Sequence, residues 1–226
     1  MPGLSGSKFA ANLQKIVSYR REDSGLYGEI AELLELDAGE RVLDIGTGTG
    51  LQLRAVQKTQ PTAELYGLDL SGAAIELARA ALSDLKVDLR VGSIRSTPYI
   101  DDFFDVITCK ASMSYWDNPD ECFNEIYRIL KPGGRVYLFE PHRDIDLEEA
   151  LDQIRVNMAD KSPLRRWAAV QLNKFGLQRG ERVGMKLYSI PELQELAASS
   201  YFGNNHSITG VALLKILIFA RIHLWK

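Results

Sequence analysis

Val42-Leu43-Asp44-Ile45-Gly46-Thr47-Gly48-Thr49-Gly50 is the stretch on which the fold turns. An apolar run closes on an acid, and three glycines follow at alternate positions. Leu51 to Gln57 then reads as the start of a helix. The pattern predicts a strand, a tight turn and a helix N-terminus. In an α/β sheet that turn lies where ligands bind, and glycine lets the backbone bend there without a Cβ in the way. The spacing is G-x-G-x-G, with Leu51 where a dinucleotide fingerprint, G-x-G-x-x-G, would need its third glycine.

Strands and helices alternate outward from this point. Helical spacing predicts helices near 8–20 and 25–35. Glu64 to Leu70 reads as a second strand, and Ser71 caps a helix that runs to about Leu82. Val87 to Val91 and Phe104 to Cys109 read as strands three and four. Asn118-Pro119-Asp120-Glu121 opens a helix to about Leu130, with Asn118 as its cap, and Lys131-Pro132-Gly133-Gly134 reads as a turn before strand five, Arg135 to Glu140. Ser189-Ile190-Pro191-Glu192 is a capping box for a helix to about Ala198. His206 to Thr209 and Lys215 to Ile222 read as a closing antiparallel pair. The expected fold is α/β: a doubly wound, mostly parallel seven-stranded sheet with helices on both faces and an antiparallel last strand. Residues 1–226 read as a single domain, with N-terminal helices over 1–35. Residues 143–188 read as a helical cap inserted after strand five, at the ligand end of the sheet.

Composition narrows the function classes. The chain has 226 residues, enough for one large domain, with 46% hydrophobic and 25% charged residues. A net charge of −3 gives no electrostatic case for nucleic acid or an anionic membrane. Two cysteines, Cys109 and Cys122, cannot build a disulfide framework or a four-ligand zinc site, so a reducing cytoplasm is expected and no metal. Met1 to Ser7 carries no signal-peptide pattern, and the apolar run Val211 to Ile222 is too short to span a bilayer. Seven basic residues between Lys161 and Lys186 suit an anionic substrate or RNA, or more simply a solvated face.

D-x-G-x-G-x-G from Asp44 to Gly50 resembles the cofactor loop of class I S-adenosylmethionine-dependent methyltransferases, small-molecule branch. Tyr66-Gly67-Leu68-Asp69, Phe104-Asp105-Val106-Ile107 and Leu130-Lys131-Pro132-Gly133-Gly134 resemble that family in the same order, from about Gly28 to Gly134. The resemblance implies S-adenosylmethionine as cofactor and S-adenosylhomocysteine as product. The implied cofactor site is Asp44, Gly46, Thr47, Gly48, Gly50, Asp69, Leu70, Ser93, Ile94 and Cys109. Asp44 would answer the cofactor's ammonium, the loop N–H groups its carboxylate and Asp69 the ribose hydroxyls, with Leu70 and Ile94 against the adenine. Ser93 departs from the family, which often has Asp there. Cys109-Lys110-Ala111-Ser112 departs from the Asn/Asp-Pro-Pro-Tyr of base N-methyltransferases. Simpler roles stay open: a helix cap for Asp69 and a buried filler for Cys109.

The expected partner is a small-molecule methyl acceptor; nucleic acid and membrane are not expected, and the oligomeric state is open, a homodimer included. His142, in Glu140-Pro141-His142, is the candidate general base, or a loop histidine without a role. Tyr115, Trp116 and Trp167 are candidate acceptor-pocket residues, with core packing the alternative for the first two. Two other functions compete: a SAM-binding scaffold without catalysis, and an NAD-dependent oxidoreductase, which the glycine spacing disfavours.

Overall fold

The computed structural model describes residues 25–144, 185–213 and 217–226, and a few isolated positions between 148 and 167. The helix expected near 8–20 and most of the 143–188 cap lie outside the described residues. Along the chain run α1 (Leu26–Leu33), β1 (Arg41–Ile45), α2 (Leu51–Thr59), β2 (Glu64–Asp69), α3 (Gly72–Ala81), β3 (Val87–Val91) and β4 (Phe104–Lys110). A 3-10 turn (Met113–Tyr115), α4 (Pro119–Ile129), β5 (Leu130–Glu140), α5 (Ile190–Ser199), β6 (His206–Leu213) and β7 (Leu217–Trp225) follow. The seven strands form one sheet in the order β3-β2-β1-β4-β5-β7-β6. β1 to β5 pair in parallel, and β7 is antiparallel to both of its neighbours.

Alternation along each strand builds a core on either face. Leu43, Ile45, Ile107 and Leu138 pack with Phe123 and Ile126 of α4 and Leu193 and Ala197 of α5. Val42, Val106 and Phe139 point the other way, against Leu26 and Ile30 of α1 and Leu53 and Val56 of α2. The order of strands reverses between β1 and β4, so the crevice lies at their C-terminal ends.

Two caps form as the sequence predicts. The Ser71 hydroxyl accepts from the Ala74 N–H at 3.3 Å, and Ser189 with Glu192 closes a reciprocal capping box. Asn118 does not act as expected: its side chain makes no cap hydrogen bond, and α4 begins instead with Pro119 and two first-turn acids, Asp120 and Glu121, which suit the helix dipole. The expected turn at 131–134 is absorbed into β5. Leu130 pairs with Phe104 and Arg135 with Val106, so these residues form an irregular bulge. The bulge is held because the Gly133 N–H donates to the Lys226 carbonyl at the end of β7. β6 and β7 also extend beyond the expected ends of the closing pair.

Candidate cofactor and acceptor site

The glycine loop is built from left-handed backbone. Gly46, Gly48 and Gly50 have φ of 68, 56 and 79°, a region costly to any residue with a side chain. At Gly46 there is a second constraint, since a Cβ there would come within 2.6 Å of the Ser112 Cβ. This close approach locks the loop after β1 to the loop after β4. The N–H groups of Gly46 and Thr47 donate to the Leu68 carbonyl at 2.8 and 3.1 Å, and that of Gly50 donates to Thr47. The Gly48 N–H donates to Asp69 Oδ2 at 2.9 Å. Those four groups are therefore already engaged. What the loop offers an anionic group is the N-terminus of α2, which no side chain caps.

Three strands of the sheet close on acids that point into this end of the molecule. Asp44 on β1 is only 3% exposed, and burial pushes its carboxyl up to about 7, against smaller lowering by the nearby Thr47 hydroxyl and Lys110. The Thr47 hydroxyl is itself buried and has no well-formed hydrogen bond. Asp69 on β2 accepts from Gly48 through one oxygen and from the Ser71 N–H at 2.8 Å through the other. It braces the loop and accepts from the N–H of Ser71, which is itself the cap of α3, so Asp69 is not the helix cap.

The third acid, Glu140 on β5, was not among the expected site residues. It is 1% exposed. One oxygen accepts from the N–H groups of Ser112 and Met113, both at 2.9 Å, and the other from the Ser114 hydroxyl at 3.2 Å. Burial raises its pKa, and those donors work the other way. The turn it holds contains Ala111 with φ 51°, a strained conformation for a residue with a Cβ. The signal for Glu140 was present in the sequence, an apolar strand ending in an acid, as for Asp44 and Asp69.

The remaining expected residues divide into exposed and packed. Leu70 is exposed at the end of β2, as an adenine contact requires. Ser93 accepts from the Arg95 N–H at 3.2 Å, leaving its hydroxyl proton to give. Ile94 is buried in the core beneath α4 and presents little to a ring. Cys109 is fully buried with its thiol 3.7 Å from Glu140 and its pKa pushed up by burial; it is framework, with no surface left for a cofactor. Trp116 packs edge-on against Phe123, which is the core-packing role, whereas Tyr115 is exposed with its hydroxyl 3.7 Å from the Met185 sulfur. Trp167 and Leu164 are exposed, Trp167 by 62%. Met158 lies outside the described residues. His142 is buried, neither ring nitrogen has a hydrogen-bond partner among the described residues, and burial lowers its pKa, so the imidazole is neutral at pH 7.

Residues 43–138, from within β1 to near the end of β5, match the model of a methyltransferase domain. This is the stretch on which the resemblance to S-adenosylmethionine-dependent methyltransferases rests. The chain is 32% identical over 105 residues to the ubiquinone/menaquinone biosynthesis C-methyltransferase UbiE of Geotalea daltonii, covering 44% of this chain and 45% of that one. It is 30% identical over 128 residues to a demethylmenaquinone methyltransferase of Thermotoga maritima, covering 57% and 55%. The matches thus span about half the length of these curated relatives. A solved SAM-dependent methyltransferase from Aquifex aeolicus shares the fold with a TM-score of 0.63 at 16% identity, covering 95% of this chain and 97% of that one. No helix among the described residues is long and apolar enough to cross a membrane, and no cluster there could hold a metal ion.

The residues of the matched stretch fit S-adenosylmethionine. The buried carboxyl of Asp44 suits an ammonium. The uncapped helix α2 suits a carboxylate, and Asp69 at a second strand end suits ribose hydroxyls.

Proposed function

We propose that the protein transfers a methyl group from S-adenosylmethionine to a small, partly apolar acceptor and releases S-adenosylhomocysteine. The observation that carries this reading is the cradle of three left-handed glycines between two strand-end acids, Asp44 and Asp69. The cofactor supplies an electrophilic methyl on a sulfonium and its own leaving group, so the protein mainly aligns and desolvates. Asp44 holds the ammonium, the first turn of α2 the carboxylate, and Asp69 the ribose. Leu70 covers the adenine, and Ser93 contacts its edge. Glu140 fixes the loop that carries Tyr115, on the acceptor side. Neutral His142 takes the acceptor's proton where the acceptor has one to lose.

Residues 1–226 form one such domain, with 143–188 as the segment that covers the acceptor. An apolar acceptor agrees with the quinone-pathway names of the relatives. Two buried free cysteines support a cytoplasmic, reducing location. Calorimetry tests the reading: S-adenosylmethionine and S-adenosylhomocysteine bind, and NAD does not. Micromolar NAD binding without a response to S-adenosylmethionine would overturn it.

A further inference from the structure

The chain leaves β5 at Glu140 and returns at Tyr188, and the two ends of this excursion are fastened together. His142 and Tyr188 are register partners in an isolated parallel bridge. The Arg143 N–H donates to the Tyr188 carbonyl at 3.0 Å, and the Ile190 N–H donates to Asp144 at 2.7 Å. The Lys186 N–H donates to the Ser114 carbonyl at 2.9 Å, which ties the same clasp to the loop that Glu140 holds. Within this clasp two polar side chains are more than nine-tenths buried, and among the described residues both ring nitrogens of His142 and the hydroxyl of Tyr188 have no hydrogen-bond partner. Bridge partners carry their side chains on the same side of the sheet. Leaving such groups unpaired costs on the order of 1–3 kcal/mol each, so native proteins supply a partner.

We propose that His142 and Tyr188 together anchor a phenolic or enolic hydroxyl of the methyl acceptor. The inference rests on the methyltransferase reading above and names the acceptor class of that same site. The donor inventory selects the group. A neutral imidazole has one donor and one acceptor nitrogen, and a phenol both gives and takes. A carboxylate, which only accepts, would leave the bare imidazole nitrogen unpaired and would also bury a net charge beside a neutral imidazole. An ammonium, which only donates, would leave the Tyr188 hydroxyl proton unpaired. A hydroxyl donates to the bare nitrogen of His142 and accepts from Tyr188, so that only the imidazole N–H is left to pair elsewhere. The Lys186 ammonium, 4.8 Å from the Tyr188 ring centroid, adds positive charge where an oxyanion develops. Tyr115, exposed on the adjoining loop, gives the acceptor's apolar body a surface. In the reaction the hydroxyl proton passes to a ring nitrogen of His142 while the electron pair stays on the acceptor oxygen. The oxygen–carbon bond then forms as the carbon–sulfur bond breaks, and the imidazolium later loses its proton to water.

The test uses the whole protein saturated with S-adenosylhomocysteine, with para-cresol and para-methylanisole as neutral probes in which the hydroxyl proton is kept or replaced by methyl. Calorimetry should show the phenol binding at least about tenfold tighter than its methyl ether, about 1.4 kcal/mol. Tyr188→Phe and His142→Gln should each shrink that ratio toward one, with the dissociation constant of S-adenosylhomocysteine unchanged, which also shows the variants are folded. Equal affinity of the two probes for the wild-type protein, no phenol binding at millimolar concentration, or a ratio that survives both substitutions would overturn the proposal. Loss of S-adenosylhomocysteine binding by the wild-type protein itself would instead overturn the reading on which it rests.

Discussion

A Cβ at Gly46 would meet Ser112 rather than an open ligand space, and this alters what a substitution there tests. Gly46→Ala adds left-handed strain and pushes the loops after β1 and β4 apart. It should lower stability by about 1–3 kcal/mol in a urea titration as well as weaken S-adenosylmethionine. A variant that lost cofactor affinity with full stability would show that the ligand itself occupies that space. Asp69→Ala removes the acceptor for Gly48 and Ser71 in addition to any ribose contact, so cofactor affinity should fall by at least about 1.5–3 kcal/mol. An unchanged dissociation constant would leave Asp69 a purely structural brace. Asp44 makes the pH dependence specific. Its folded pKa, about 7, lies above the unfolded value, so the folded chain holds a proton that the unfolded chain has released. Stability of the unliganded protein therefore falls as pH rises from about 4 through about 7, and Asp44→Asn should be the more stable form at about pH 8 and equal at about pH 4. Cofactor affinity should run the opposite way on this limb, rising with pH as Asp44 ionises to meet the ammonium. Calorimetry between about pH 6 and 7.5 would show a flat profile in Asp44→Asn and a rising one in the wild type.

At the scale of elements, Glu140 is the piece that converts a strand end into a positioned loop. Glu140→Ala would strand the N–H groups of Ser112 and Met113 and should cost about 2–4 kcal/mol of stability. Glu140→Gln keeps one carbonyl oxygen for both and should recover most of that loss in thermal melts. Equal melting of the two variants would mean the clamp is immaterial. The elements themselves were legible because their signals are local. The alternating apolar runs of β1, β2, β4 and β5, the Ser71 cap and the Ser189 box all depend on residues within a few positions. The bulge at 131–134 was not legible, since it is fixed by the Lys226 carbonyl at the far end of the chain. For the same reason Gly46 could be assigned to the loop but not to its contact with Ser112. Glu140 carried the same strand-end acid signal as Asp44 and Asp69, yet its donors come from a different loop, and sequence spacing holds no record of them. Tyr188 lies 46 residues from His142, and only the parallel bridge brings the two into register.

At the scale of the molecule, the sheet divides the labour between its two halves. β1 and β2 carry the glycine loop with Asp44 and Asp69, and β4 and β5 carry the loop at 111–116, Glu140 and the clasp at His142 and Tyr188. The excursion between Asp144 and Lys186 belongs to the second half, because its stem is hydrogen-bonded to Ser114 and to the start of α5 and to nothing on β1 or β2 among the described residues. Replacing 145–185 by a Gly-Ser linker keeps Arg143, Asp144 and Lys186, and so keeps the clasp. S-adenosylmethionine affinity should then stay within about threefold, less than about 1 kcal/mol, since no contact of the glycine loop among the described residues is removed. If this segment covers the acceptor as proposed, acceptor turnover should be lost, since water would then reach the transferring methyl. Calorimetry of the linker variant separates the two halves. A collapse of cofactor affinity with an intact melting transition would move the segment to the cofactor side and end its assignment as an acceptor lid.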